Sequence, residues 1–285
     1  MKFLLTIVFL SSVLSLSAQR KATKPEIGIV GDFEQDSLLH AAGYKYLVES
    51  IVKCFSPIKI SDQQFEERLK QFRSLNLSVF AMNIFMPGDM KLVGPDVKEE
   101  AILTYAKAVF ERCQRAGVSM VVWGSGGARR VPDGFDHNKA KEQFIDIARK
   151  VSVLAKKYKI ELALENLNST ETNFINTVED AFDVVTKVDQ KNFWLCVDIY
   201  HMLMEGEGPA VIQKTKKKLI HCDIAEKINR APPGVRGDDF RPYLSVLKQL
   251  GYSGKIVLEC RWTDLPAQLS SAKLNLQKQI DDVWQ

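Results

Sequence analysis

Short runs of β-branched and apolar residues alternate along the chain with longer stretches whose apolar positions recur at helical spacing. That alternation argues for βαβ units and a parallel sheet. Eight runs read as strands: Glu26 to Val30, Tyr44 to Glu49, Ser78 to Asn83, Ser119 to Trp123, Glu161 to Glu165, Phe193 to Asp198, Leu219 to Asp223 and Lys255 to Glu259. Between them lie helix-like segments such as Asp62 to Leu75, Lys98 to Ala116, Lys139 to Tyr158, Val178 to Val188, Phe240 to Leu250 and Pro266 to Val283. Asp62, Thr177 and Asp264 stand where N-caps are expected, while Gly43, Gly117 and Gly251 each follow a helical run and precede a strand. Eight such units in 285 residues predict a single (β/α)₈ TIM barrel. A doubly wound open sheet would need a glycine-rich phosphate turn after an early strand, and no GxGxxG is present. The segment Gly124-Ser125-Gly126-Gly127 after the fourth strand reads as a flexible loop.

A hydrophobic content of 46% is enough for one large core. The net charge of +4, from 39 Lys+Arg against 35 Asp+Glu, is too mild for a nucleic-acid or acidic-membrane partner and suits a small polar ligand. The opening MKFLLTIVFLSSVLSLSAQ has a charged start, an apolar run and a small-residue end. It reads as a cleavable signal peptide over residues 1–19, which makes 20–285 the mature domain and its expected location secreted, in the periplasm. The apolar run is shorter than the ~20 residues that span a bilayer, so no stable membrane anchor is expected. Five cysteines, an odd number without CxxC spacing, signal neither a disulfide framework nor a thiolate zinc site.

A (β/α)₈ barrel builds its active site at the C-terminal ends of its strands. Four strands of the second half end in acidic or imidazole groups: ELALEN in Glu165 and Asn166, FWLCVDIYH in Asp198 with His201 three residues on, LIHCDI with His221 and Asp223, and KIVLEC in Glu259. Gathering carboxylates at a barrel mouth costs several kcal/mol unless a cation neutralises them, so a shared metal is the economical explanation. Glu165, Asp198, His221 and Glu259 are the candidate ligands, and this set suits one divalent ion such as Mn²⁺, Co²⁺, Mg²⁺ or Zn²⁺. Of the three other histidines, His40 and His137 read as surface or packing residues, whereas His201 is placed to face a substrate without binding the metal.

At these residues the sequence resembles the xylose isomerase-like barrel superfamily of sugar and sugar phosphate isomerases and epimerases. The resemblance runs from about Glu26 to the C-terminus and is carried by LALEN, CVDIYH, LIHCDI and the PGVRGDDFRPYLSVLKQLGYSGKIVLE run. It implies that Glu165 and Glu259 both hold the metal and exchange protons with a substrate carbon, that Asp198 and His221 complete the ligand set, and that His201 contacts the substrate. It further implies sugar-binding roles near Glu171 and at Lys227 or Arg230, and Trp123 at the end of the fourth strand joins these substrate-binding candidates. The chain departs from the pattern in two places. Asp223 comes two residues after the seventh-strand histidine where many members have an acid three after it, and Lys227 stands where the epimerases place an arginine.

Proton abstraction next to a carbonyl is the core step such a site implies. Return of the proton to the other face gives epimerisation, return to the neighbouring carbon gives isomerisation, and loss of a β-oxygen substituent makes the protein a lyase acting on a 3-keto-glycoside. Export favours a non-phosphorylated carbohydrate as the small-molecule substrate. Apurinic endonucleases of the same superfamily use a histidine-rich three-zinc cluster, which four histidines cannot supply. A non-catalytic sugar-binding barrel would be marked by a lost ligand, and all four are present. Self-association into a homo-oligomer is compatible with the sequence.

Overall fold

The computed structural model describes residues 23–215 and 218–285; the segment read as a signal peptide lies outside them. Eight strands, β1 (Ile27–Val30), β2 (Tyr46–Ser50), β3 (Ser78–Asn83), β4 (Met120–Trp123), β5 (Glu161–Glu165), β6 (Phe193–Asp198), β7 (Leu219–Ile224) and β8 (Ile256–Leu258), close into a barrel in sequence order. Every neighbouring pair is parallel, including β1 with β8. The principal helices that follow them in turn are α1 (Asp36–Ala41), α2 (Asp62–Phe72), α3 (Glu99–Ala116), α4 (His137–Lys157), α5 (Val178–Val188), α6 (Ile199–Glu205), α7 (Arg241–Gln249) and α8 (Leu265–Val283). All eight expected strands form, and they differ from the sequence expectation only at their ends. Among the described residues no helix is long and apolar enough to cross a membrane.

Local chemistry explains the boundaries. Thr177 and Asp264 cap α5 and α8 by accepting from the backbone N–H groups of Asp180 and Ala267. At α2 the cap is Ser61 rather than the expected Asp62, because Ser61 and Gln64 form a reciprocal capping box. Asp62, one residue further in, instead accepts from Arg112 at 2.7 Å. Gly117 and Gly251 have φ of +76° and +69°, the left-handed geometry that ends a helix before a strand.

Strand alternation then divides the core. Outward-facing residues pack with the helices into one large apolar cluster, in which Trp123 sits against Phe85, Phe144 and Phe193. Inward-facing residues fill the barrel with two smaller clusters, Val48 with Ala81 and Val257, and Val122 with Ala163 and Cys196. Two residues further along the same strands, the inward positions are no longer apolar. They are Ser50, Asn83, Gly124, Glu165, Asp198 and Glu259, and on β7 the inward pair is His221 and then Asp223.

Candidate active site

The acidic layer therefore stands directly on the apolar fill of the barrel. Asp198 pairs in register with Asp223, and Cys196 with His221 one step below. Ligand-type atoms of Glu165, Asp223 and Glu259 lie within 4.8 Å of one another, as do those of Glu165, Asp198 and His201. Asn83, which closes β3, donates from Nδ2 to Glu259 Oε1 at 3.3 Å. Arg230 reaches into the same space, with Nη2 donating to Asp198 Oδ2 at 3.0 Å and to Glu259 Oε2 at 2.7 Å. Its other terminal nitrogen lies 3.4 Å from Glu171 Oε1 at the rim, and its guanidinium carbon stands 4.7 Å from the centre of the Tyr200 ring.

His201 is fully buried at the start of α6. Its Nδ1 accepts from the backbone N–H of Asn168 at 3.1 Å, and the Asn168 side-chain amide is 2.7 Å from the same atom. An Nδ1 lone pair committed to an N–H leaves the proton of a neutral imidazole on Nε2. That Nε2 points to Asp198 Oδ2 at 3.3 Å and Glu165 Oε1 at 3.7 Å and meets hydrogen-bond geometry with neither. A ring held in this tautomer has a donor, and no free lone pair, at Nε2. Asn166 fixes the base of the same turn by accepting from the Asp198 backbone N–H at 3.0 Å and donating to the Asp198 carbonyl at 3.2 Å.

Burial dominates the electrostatics. It pushes Asp198 up to about 7 against the pull of Arg230, and Glu259 up to about 8 against the same pull. Glu165 is raised well above the usual carboxylate range by burial and then by its neighbour Glu259. His201 is lowered to about 3, first by burial and then by Arg230, so it is neutral at any physiological pH. A cluster of buried carboxylates with one arginine is short of positive charge. Its convergent carboxylate oxygens fit a hard or borderline divalent cation.

The structure brings together Glu165, Asp198, Glu259, His201, Arg230 and Glu171. Three expected members stand elsewhere. His221 is one layer deeper, stacked on Phe80 at 5.8 Å between centroids, with Nε2 2.9 Å from Asp223 Oδ1; the β7 side chain that joins Glu165 and Glu259 is Asp223. Trp123 is fully buried and faces the helix layer, because it sits one residue off the inward register of β4. Lys227 is exposed, and the turn Ile228–Arg230 delivers Arg230 instead, through left-handed backbone at Asn229 (φ 63°) and Arg230 (φ 51°). The glycine segment after β4 is not a plain loop either. Gly126–Arg129 form a helical turn, and a Cβ at Gly124 would collide with Glu165 Oε2. Asn83 and Asn168 were not expected, although Asn83 carried the signal of closing a strand.

The chain resembles characterised proteins over most of its length. The inosose isomerase of Bacillus subtilis (strain 168) is 27% identical over 173 residues, 55% of this chain and 59% of that enzyme. The D-psicose 3-epimerase of Ruminiclostridium cellulolyticum (strain ATCC 35319 / DSM 5812 / JCM 6584 / H10) is 26% identical over 236 residues, 76% of this chain and 78% of that enzyme. The crystal structure of the IOLI protein with a binding zinc atom superposes with a TM-score of 0.70 at 20% identity, covering 91% of this chain and 98% of that one. The model of the xylose isomerase-like TIM barrel matches residues 37–280, and the chain belongs to that family.

Proposed function

We propose that this protein is a divalent-metal-dependent sugar isomerase or epimerase. It abstracts a proton next to the carbonyl of a non-phosphorylated sugar or keto-sugar, outside the cytoplasm. The observation that carries the reading is the convergence of Glu165 and Glu259 on one buried cluster from strands on different sides of the barrel mouth. Relatives that are an inosose isomerase and a D-psicose 3-epimerase support the reaction class, and the zinc-binding structural neighbour supports a metal. A cation held by Glu165, Asp198, Glu259 and a β7 side chain would polarise the carbonyl and acidify the adjacent C–H.

The remaining work falls to the chain's own groups. Glu165 and Glu259 hold and return the proton, one on each face of the substrate. His201 donates from Nε2 to a substrate oxygen, in the direction its tautomer fixes. Arg230, held by Asp198 and Glu259, supplies charge beside the developing oxyanion, and the fully buried Arg129 sits behind Trp123, its Nη1 donating to the Trp123 carbonyl at 3.4 Å. A second reading, a lyase that cleaves a 3-keto-glycoside, is favoured by one feature. Tyr200 lies against the Arg230 guanidinium and beside His201, and in that reaction its hydroxyl would protonate the leaving oxygen.

The test is conversion of a panel by metal-loaded protein: free ketohexoses, inososes, 3-keto-glycosides and ketose phosphates, with products separated by chromatography. Turnover of a free sugar or keto-sugar into its epimer or isomer is the expected result. Turnover confined to the phosphates would remove the substrate class, and release of an aglycone would move the assignment to the lyase.

A further inference from the structure

Two neighbouring groups of ligand-type side chains share Asp223. The upper group is Glu165, Asp223 and Glu259, and the lower is Cys196, His221 and Asp223, each within 4.8 Å. We infer that Asp223, and not His221, is the metal ligand contributed by β7, so that oxygen atoms of Glu165, Asp198, Asp223 and Glu259 alone hold the cation while His221 and Cys196 position Asp223 from beneath. The inference rests on the metal-dependent reading above and goes beyond it by naming the ligand set and the class of ion.

Three observations carry it. First, alternation and register put Asp223 level with Asp198 and put His221 level with Cys196, one layer toward the apolar fill. An imidazole in the lower layer would have to leave its stack on Phe80 to reach Glu165 and Glu259. Second, both Asp223 oxygens are already held. Oδ1 is 2.9 Å from His221 Nε2, and Oδ2 accepts from Cys196 Sγ at 3.2 Å. Each carboxylate oxygen has two lone-pair directions, so these contacts aim the group and leave one direction on each oxygen free for a cation. Hydrogen-bonded supports behind a ligand are how metal sites orient their carboxylates. Third, an independent group points to a guest above this layer: the fully buried His201 Nε2, without a hydrogen bond, directed between Asp198 and Glu165. Its tautomer, set by Asn168, makes it a donor toward an oxygen of a bound guest.

The chemical consequence is selectivity. A site of carboxylate oxygens suits Mn²⁺ or Mg²⁺, whereas a set including imidazole and thiol draws zinc and cobalt. Protein stripped of metal and titrated with Mn²⁺ alone reads this directly, with calorimetry for affinity and pulsed paramagnetic resonance for directly bound ¹⁴N. The wild type is expected to bind one Mn²⁺ without a coordinated nitrogen. Asp223→Asn, and Asp223→Ala beside it, are expected to weaken binding at least ~10-fold while far-ultraviolet dichroism stays native, and His221→Gln is expected to weaken it less than either. Co²⁺ in place of Mn²⁺ is expected to give no thiolate charge-transfer band, in the wild type or in Cys196→Ser. A coordinated nitrogen that disappears in His221→Gln, or a thiolate band that disappears in Cys196→Ser, overturns this ligand set alone. Wild-type protein that binds no Mn²⁺ overturns the metal-dependent reading and the ligand set together.

Discussion

Metal-loaded Glu165→Gln and Glu259→Gln variants are each expected to exchange substrate protons with solvent at least ~10²-fold more slowly than the wild type. Glutamine keeps the length of the side chain and one oxygen for the cation but removes the basicity. The two carboxylates enter from different sides. Glu165 closes β5 and lies over the backbone of Gly124 at the end of β4, while Glu259 follows β8 and is approached by Asn83 from β3 and by Arg230. A substrate lying over the cluster is thus reached on two faces. Burial raises both groups, and a divalent ion held beside them would restore them to the charged, basic form near neutral pH. An epimerase needs both glutamates, so both variants fail. A lyase needs one base and takes its acid from Tyr200 or His201, so strong loss in only one variant would move the assignment there. Wild-type exchange rates in both variants would falsify the proposed pair.

The metal-free protein is expected to lose thermal stability as pH rises from about 6.5 to 8, by about 2–4 kcal/mol or roughly 5–10 °C in Tm, and a divalent ion should restore it. Asp198 near 7 and Glu259 near 8 are raised in the folded state above the ordinary carboxylate range. Between that range and pH 8 the folded chain therefore holds protons that the unfolded chain has lost. Their contribution is fully present below the unfolded carboxylate pKa and is lost as pH climbs through the folded values. His201 acts in the opposite sense, being lowered to about 3, so its contribution is present above about 6.5 and fades below it. Starting at 6.5 leaves the carboxylates to act alone. A melting temperature flat across this window, with no gain on adding Mn²⁺, would show that the cluster carries no such strain.

Much of this was readable from residue order. Apolar runs ending in Glu165, Asp198 and Glu259 mark the barrel mouth because a strand's last inward residue is where the apolar fill stops. Thr177 and Asp264 announce their helices by side-chain oxygens that can cap. Three residues stand apart from the cluster for specific reasons. β5, β6 and β8 all place the acid at the strand end, and by that count Asp223 is the positional equivalent on β7, with His221 one layer below. Trp123 closes a strand too, but on the odd face, and parity along β4 sends it into the wall of helices. Lys227 and Arg230 could not be separated, because the choice is made by two left-handed residues in a turn, at Asn229 and Arg230 itself, where glycine is absent. The Asn168 contact that sets the His201 tautomer joins positions 33 apart in the chain and has no local signature.

The central claim is that this barrel mouth takes a proton from carbon next to a carbonyl. It is tested most directly by incubating Mn²⁺-loaded wild-type protein in D₂O with a free ketohexose, an inosose or a 3-keto-glycoside, and following the carbon-bound proton signals by nuclear magnetic resonance. Deuterium is expected to appear at the carbon adjacent to the carbonyl, at a rate that collapses when the metal is removed. Complete absence of deuterium uptake across these metal-loaded incubations, or uptake equal to that of the buffer alone, would contradict it.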